Sequence, residues 1–280
     1  MDTELFNLAI EAAVTLEREG GIGILSEGVL HSAVKYYYQA DRGLQEIEIG
    51  GFVCDAIADD RDYGRTVIEV QTANFGNLKK KLSVFLANDG ESEIKSETEA
   101  VPLSELSGSH AADFPGRVTV VYPMESEKHT VWIDPETGEA QVGRRSPIGF
   151  SPARCLRELY YLKEWIGRPE FRFIILGMKV KEEKLLCGRS RDRKHFGARR
   201  IARIPLELTH ELVFKSHEDY AALVPSSLPE YFDAKAFKHA ARMSEKRASL
   251  ALKTLLDMGL VTRERNGRSY IYTRVYPQNG

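Results

Sequence analysis

Cysteine is scarce in this chain: Cys54, Cys155 and Cys187 are the only three in 280 residues, odd in number and far apart. That pattern excludes a disulfide framework and a cysteine-built zinc site, and it leads to the expectation of reduced thiols in a cytoplasmic protein. An excess of positive charge is also missing. Forty-one acidic residues stand against 39 basic ones, for a formal net charge of −2. A uniformly basic protein is thereby excluded, and any surface for a polyanion must be local. No apolar run reaches membrane-spanning length, and the start Met1-Asp2-Thr3-Glu4 lacks the basic segment of a secretory signal, so no membrane partner is expected. Internal repeats and long low-complexity tracts are absent too.

What is present is enough apolar residue, 42% of the chain, to build real cores, and a length that suggests two units. The clearest pattern lies between His217 and Val275. Asp233 is placed to cap a helix in which Ala236, Phe237 and Ala240 share a face. Ser244 is placed to cap a second, with Ala248, Leu252, Leu255 and Leu256 as its apolar stripe and Gly259 as its stop. Leu260 to Arg265, Asn266-Gly267 and Arg268 to Val275 then spell a β-hairpin. Helix, turn, helix and arginine-tipped hairpin resembles the winged-helix superfamily. The resemblance implies that Lys246, Arg247 and Lys253 meet a DNA groove or its phosphates, and that Arg263, Arg265 and Arg268 meet the backbone. Winged helices also dock proteins, and that alternative stays open.

Upstream, Glu4 to Leu16 reads as a helix, and Ser26 is placed to cap another that runs to Tyr38 and stops at Gly43. Three β-prone runs follow, Leu44 to Ile49, Gly51 to Ile57 and Thr66 to Gln71. Asn77 to Ala87 is a helix carrying Leu78, Leu82, Phe85 and Leu86, and Val118 to Tyr122 is a compact buried strand. Thr130 to Asp134 and Phe171 to Val180 read as further strands, and Pro152 to Trp165 as a helix.

Asp55 lies in the second β-prone run, and Glu69-Val70-Gln71 lies in the third. Glu69 and Gln71, two apart on a strand, face the same side. Both acids sit among apolar residues, where an unpaired carboxylate is costly to bury. Helix, β-meander, helix and strand, with these motifs, resembles the PD-(D/E)xK, or restriction endonuclease-like, nuclease superfamily over roughly residues 20 to 125. The resemblance implies an α/β fold with a mixed β-sheet core flanked by helices. It implies a Mg²⁺ (or Mn²⁺) ion held by Asp55, Glu69 and the main chain of Val70, with Glu27 on the leading helix contributing to catalysis. Gln71 departs from the family's usual lysine, and Lys79, Lys80 or Lys35 is expected to supply the missing cation; Lys79 is the choice carried forward. Glu27, His31 and Lys35 recur every four residues and share a helix face, which also suits plain salt-bridge support.

Between Lys184 and Arg203 eight cations stand against the single Asp192. Arg189, Arg191, Arg193, Lys194, Arg199 and Arg200 are expected to form a basic arm that tracks a nucleic-acid backbone. The expected organisation is a nuclease domain over residues 1–205, with the arm at 184–203, and a winged-helix domain over 206–280. The expected function is a metal-dependent DNA endonuclease. Two alternatives remain: a catalytically inactive DNA-binding protein or regulator on the same fold, and an assembly subunit of a transposition or restriction-type complex. A second copy of the chain or a partner protein subunit is compatible with each.

Overall fold

The structure, a computed structural model, describes residues 1–19, 28–86, 116–188 and 197–275. Two helices come first, α1 (Thr3–Glu19) and α2 (Val29–Tyr38), then the meander β1 (Gln45–Ile49), β2 (Phe52–Asp60) and β3 (Gly64–Val70). Next come α3 (Leu78–Phe85), β4 (Val118–Ile133), β5 (Ala140–Pro147), the short α4 (Leu156–Leu159), β6 (Phe171–Leu185) and β7 (Arg199–Phe214). These strands build one mixed seven-stranded sheet in the order β1-β2-β3-β4-β6-β7, with β5 beside the far half of β4. β3, β4 and β6 run parallel, and the other neighbours are antiparallel.

The sheet is covered on both faces. α1 and α2 cover one through Phe6, Leu30 and Val34, packed on Ala56, Ile68, Val70 and Ile174. α3 covers the other, its Leu78, Leu82 and Phe85 meeting Val67, Val120 and Phe173. Parallel strands buried on both faces need nearly continuous apolar runs, and Phe173 to Leu176 and Val118 to Val121, apolar but for the buried Thr119, supply them. Among the described residues no helix is long and apolar enough to cross a membrane.

Several elements differ from the sequence expectation. Val118–Tyr122 and Thr130–Asp134 are parts of one 16-residue strand, because pairing with β6 carries β4 across Pro123, with a register shift between Glu125 and Glu127. The expected helix from Pro152 to Trp165 is mostly 3-10 turn, with only Leu156–Leu159 α-helical. Its buried Leu156, Leu159, Leu162 and Trp165 recur every three residues, the period of a 3-10 helix and not of an α-helix. β7 was not expected at all. Its half-exposed stretch from Arg199 to Ile204 carries three arginines, which hid the strand signal. α2 stops at Tyr38, with Gln39 and not Gly43 as its C-cap.

The chain then forms a second, smaller unit: β8 (Tyr231–Asp233), α5 (Ala234–Ala240), α6 (Glu245–Asp257), β9 (Val261–Asn266) and β10 (Ser269–Arg274). Asp233 caps α5 by accepting from the Ala236 amide at 2.7 Å. Ser244 begins α6 with extended backbone but makes no side-chain cap bond. β10 pairs with β9 and also with β8, a strand not expected, whose Phe232 stacks on Tyr272 and Phe237. In the hairpin Asn266 pairs with Ser269, so Gly267 and Arg268 make the turn, with Gly267 at φ +61.

The division drawn at residue 205 falls inside β7, which continues to Phe214. The two units also share one apolar core that runs from Phe75, Phe173 and Phe214 through Tyr220 and Leu159 to Leu252 and Leu255. A shared core couples their unfolding. Calorimetry is expected to show one transition for the whole chain, and Leu255→Ala to destabilise that transition by about 2–5 kcal/mol. Two separate transitions, with only the smaller moved by the substitution, would contradict this.

Candidate functional site

The β2–β3 ladder pairs Asp60 with Gly64 and continues to Ala56 with Ile68, then stops. One step further, where Asp55 and Glu69 would face each other, the strands part. β3 instead pairs onward with β4, and the Gln71 amide donates to the Val121 carbonyl at 2.9 Å. The Val70 amide therefore points towards β2 without a strand partner, and Asp55 Oδ2 accepts from it at 2.7 Å. The Val70 carbonyl points to the same side of the strand as its amide, into the same fork.

Asp55 is also met from the helix above. His31 of α2 places Nε2 3.3 Å from Asp55 Oδ2. Glu69 is only 2% exposed, on the opposite face of β3 from Ile68 and Val70. Lys81 of α3 reaches in and donates to both of its oxygens, at 3.0 and 3.1 Å. Burial, with the Asp55 charge adding to it, pushes the Glu69 carboxyl up to about 7, against the opposing pull of Lys81. Two carboxylates thus crowd one fork, and one lysine offsets them only in part.

The expected cation from α3 was Lys79 or Lys80. Lys79 instead lies 3.5 Å from Glu164, on the exposed side of the helix. Helical phase explains the difference. At about 100° per residue, Lys81 falls nearer the stripe of Leu78, Leu82 and Phe85 than Lys79 or Lys80 does, so it alone can turn under the sheet. That signal was readable in the sequence. Lys35 is buried and pairs with Glu46 at 3.0 Å. The Gln71 side chain donates to the carbonyl of Ala73. Glu27 and the expected cap Ser26 lie outside the described residues, and α2 starts after Gly28. Among the described residues no group of three or more His, Cys, Asp or Glu side chains is arranged to hold a metal ion. The donors that Asp55, Glu69 and the Val70 carbonyl offer are all oxygen, the set that suits Mg²⁺, an ion that keeps several of its waters.

The other expected contact residues divide by place. Lys246 and Lys253, seven apart on α6, share its exposed face, although Lys253 also lies over the Tyr160 ring at 5.4 Å. Arg247 does not join them. It turns into a cleft beneath the smaller unit, whose walls include Arg154, Arg157, Arg203 and Arg242. Arg263, Arg265 and Arg268 are exposed on the hairpin, where Arg263 stacks on Tyr270 and Arg265 donates to the Gly267 carbonyl. Of the basic stretch, Arg189, Arg191, Arg193 and Lys194 lie outside the described residues. Arg199 and Arg200 begin β7. Glu182 gathers Lys128, Lys184 and Arg200 at 3.3, 3.4 and 3.9 Å, so part of the stretch is neutralised within the sheet.

The raised Glu69 carboxyl makes stability depend on pH in a fixed direction. Between its ordinary 4.5 and about 7 the folded chain holds a proton that the unfolded chain releases, so this contribution is full below pH 4.5 and is lost as pH rises through 7. The loss is on the order of 3 kcal/mol. Unfolding measured at pH 4.5 and 7.5 is expected to show this fall in the wild type and its removal in Glu69→Gln; equal pH slopes in the two proteins would contradict it.

A family model described as a domain of unknown function (DUF8091) matches residues 28–91 and 113–215. The matched span starts at α2, contains the β2–β3 fork and α3, and ends one residue past β7. An uncharacterized protein of Treponema pallidum (strain Nichols) is 26% identical over 262 residues, covering 91% of this chain and 88% of that protein. Coverage that broad takes the alignment into the smaller unit, which the family match leaves out. No solved structure matches the chain. With more than half of its residues matched, the chain belongs to the DUF8091 family.

Proposed function

We propose that this chain is a divalent-metal-dependent DNA endonuclease, in which the fork between β2 and β3 is the catalytic centre. The observation that carries the reading is that Asp55 and Glu69 flank one break in the β2–β3 ladder, close enough for their charges to interact, with Lys81 bound to Glu69. The element order α2, β1–β2–β3, α3 and β4, with β4 parallel to β3, is the order of the restriction endonuclease-like core that the motifs suggested. The smaller unit reads as a winged helix, whose Lys246, Lys253 and hairpin arginines form a local basic surface in a chain of net negative charge.

In this reading Asp55 and Glu69, with the Val70 carbonyl, hold the ion. When bound, Mg²⁺ polarises the scissile phosphate and lowers the pKa of an attacking water. The chain's own groups do the rest. The Val70 amide and His31 fix one Asp55 oxygen and leave the other to bind. Lys81 balances Glu69 at rest and is placed to meet charge developing on the phosphate, the task the usual lysine performs where Gln71 now stands. The Gln71 amide brings hydrogen-bonding capacity but no charge.

Gln71, whose side chain is engaged by Ala73, is what favours the second reading: an inactive nuclease fold that only binds DNA. Incubation with DNA and Mg²⁺ or Mn²⁺ separates the two. The wild type is expected to nick or degrade DNA, Asp55→Asn and Glu69→Gln to abolish this with binding retained, and Lys81→Met to slow it about 10²–10³-fold. Metal-independent binding with no cleavage of linear, nicked, branched or single-stranded DNA would sink the nuclease reading.

A further inference from the structure

Between the sheet and the smaller unit lies a cleft of about 290 Å³. Among the described residues, Arg154, Arg157, Arg203, Arg242 and Arg247 line it, with two carboxylates, Glu125 and Glu158. Arg157 is bound to Glu158 through two hydrogen bonds, and Arg203 lies 3.5 Å from Glu125. Arg154 donates to the Glu125 main-chain carbonyl at 2.6 Å and makes no ion pair among the described residues. Neither Arg242 nor Arg247 has a carboxylate within ion-pair distance among the described residues. Burial lowers the Arg154 pKa, and the charge of Arg247 adds to the effect.

Arg242 carries a second, independent sign. It closes the α5–α6 turn at φ +53, left-handed backbone that glycine adopts most readily. Its guanidinium lies over Gly149, where an added Cβ would come within 2.5 Å of Nη1. An arginine stands where glycine would cost less, and it packs over Gly149, which is itself held at φ +75. From that turn Arg242 lines the cleft.

The cleft also borders the fork. Thr72 and Ala73, which follow Gln71, line it. Three residues span at most about 11 Å, so the Thr72 wall is no further than that from Glu69 along the chain. One nucleic-acid strand rises about 3.4 Å per nucleotide, so the cleft is within a few nucleotides of the fork.

We infer that the arginine cleft is a phosphate-binding site, which grips a phosphate of a nucleic-acid strand whose neighbouring linkage reaches Asp55 and Glu69. The guanidinium fork binds phosphate through paired hydrogen bonds, which suits this wall better than single lysines would. The link to the fork rests on the nuclease reading; the binding of phosphate does not.

The test is binding without cleavage, in EDTA. Fluorescence anisotropy is followed with labelled single-stranded oligonucleotides bearing a 5′-phosphate or a 5′-hydroxyl, and calorimetric titration with inorganic pyrophosphate. Arg242→Gly with Arg247→Gln removes the two unpaired cations. Because glycine suits the turn, the melting temperature is expected to hold, which separates lost binding from lost folding. The double variant is expected to bind at least 10-fold more weakly, with a salt slope shallower by about 1.4 for two lost single-strand contacts. Arg168→Gln, outside the cleft, is expected to change affinity less than 2-fold. Tighter binding of the 5′-phosphate strand identifies a strand end as the source, and equal binding of both strands identifies internal phosphates. Pyrophosphate binding alone identifies a small free phosphate, and all three put phosphate in the cleft. No binding of any probe, or binding the double variant leaves unchanged, overturns the inference. Cleft-dependent binding in a protein that never cleaves would leave the cleft standing and remove the nuclease; cleavage with unchanged KM in the double variant would do the reverse.

Discussion

Everything at the candidate site follows from the hydrogen bond between the Val70 amide and Asp55. A buried backbone amide must find an acceptor. On most of β3 that acceptor is a neighbouring strand, but at Val70 the β2 ladder has ended and a carboxylate takes its place. This substitution fixes Asp55, holds the fork open and leaves the Val70 carbonyl facing the gap. On the preceding residue Glu69 turns to the other face of the strand, under α3, where Lys81 of that helix reaches it. The fork is therefore a break in the sheet that two side chains repair from either face.

Charge in the molecule is concentrated by the same logic. Fields far from neutral stay local because the chain as a whole is nearly balanced. Two acids meet at the fork, where burial and the Asp55 charge push the Glu69 carboxyl up to about 7. Arginine excess collects in the cleft just past β3, between the sheet and the smaller unit. An acidic fork beside an arginine-lined cleft is the pairing that the proposed metal-assisted phosphodiester reaction would use. The shared apolar core keeps the two in register, since α6 cannot move without disturbing Leu252 and Leu255.

Much of this was legible in the sequence, and the gaps have physical reasons. The meander, α3 and the hairpin could be read because period-two and helical patterns were strong there, and Asp55 and Glu69 stood out as acids inside apolar strands. Lys81 was missed although helical phase pointed to it, because three consecutive lysines look alike until the buried stripe is centred. β7 was missed because its first half trades apolar alternation for arginines. The cleft was out of reach, since its arginines come from the turn before α4, from α4, β7, the α5–α6 turn and α6, and only packing brings them together. Arg247, read as part of a groove-facing helix, lines that cleft instead, because α6 packs against α4.

Metal binding at the fork can be measured without any substrate. Titration with Mn²⁺ near pH 7, followed by electron paramagnetic resonance and calorimetry, is predicted to show one saturable ion per chain, with proton release as Glu69 ionises. Asp55→Asn should remove that ion. No saturable binding, or equal affinity in the wild type and Asp55→Asn, would contradict the assignment of the fork as a metal centre.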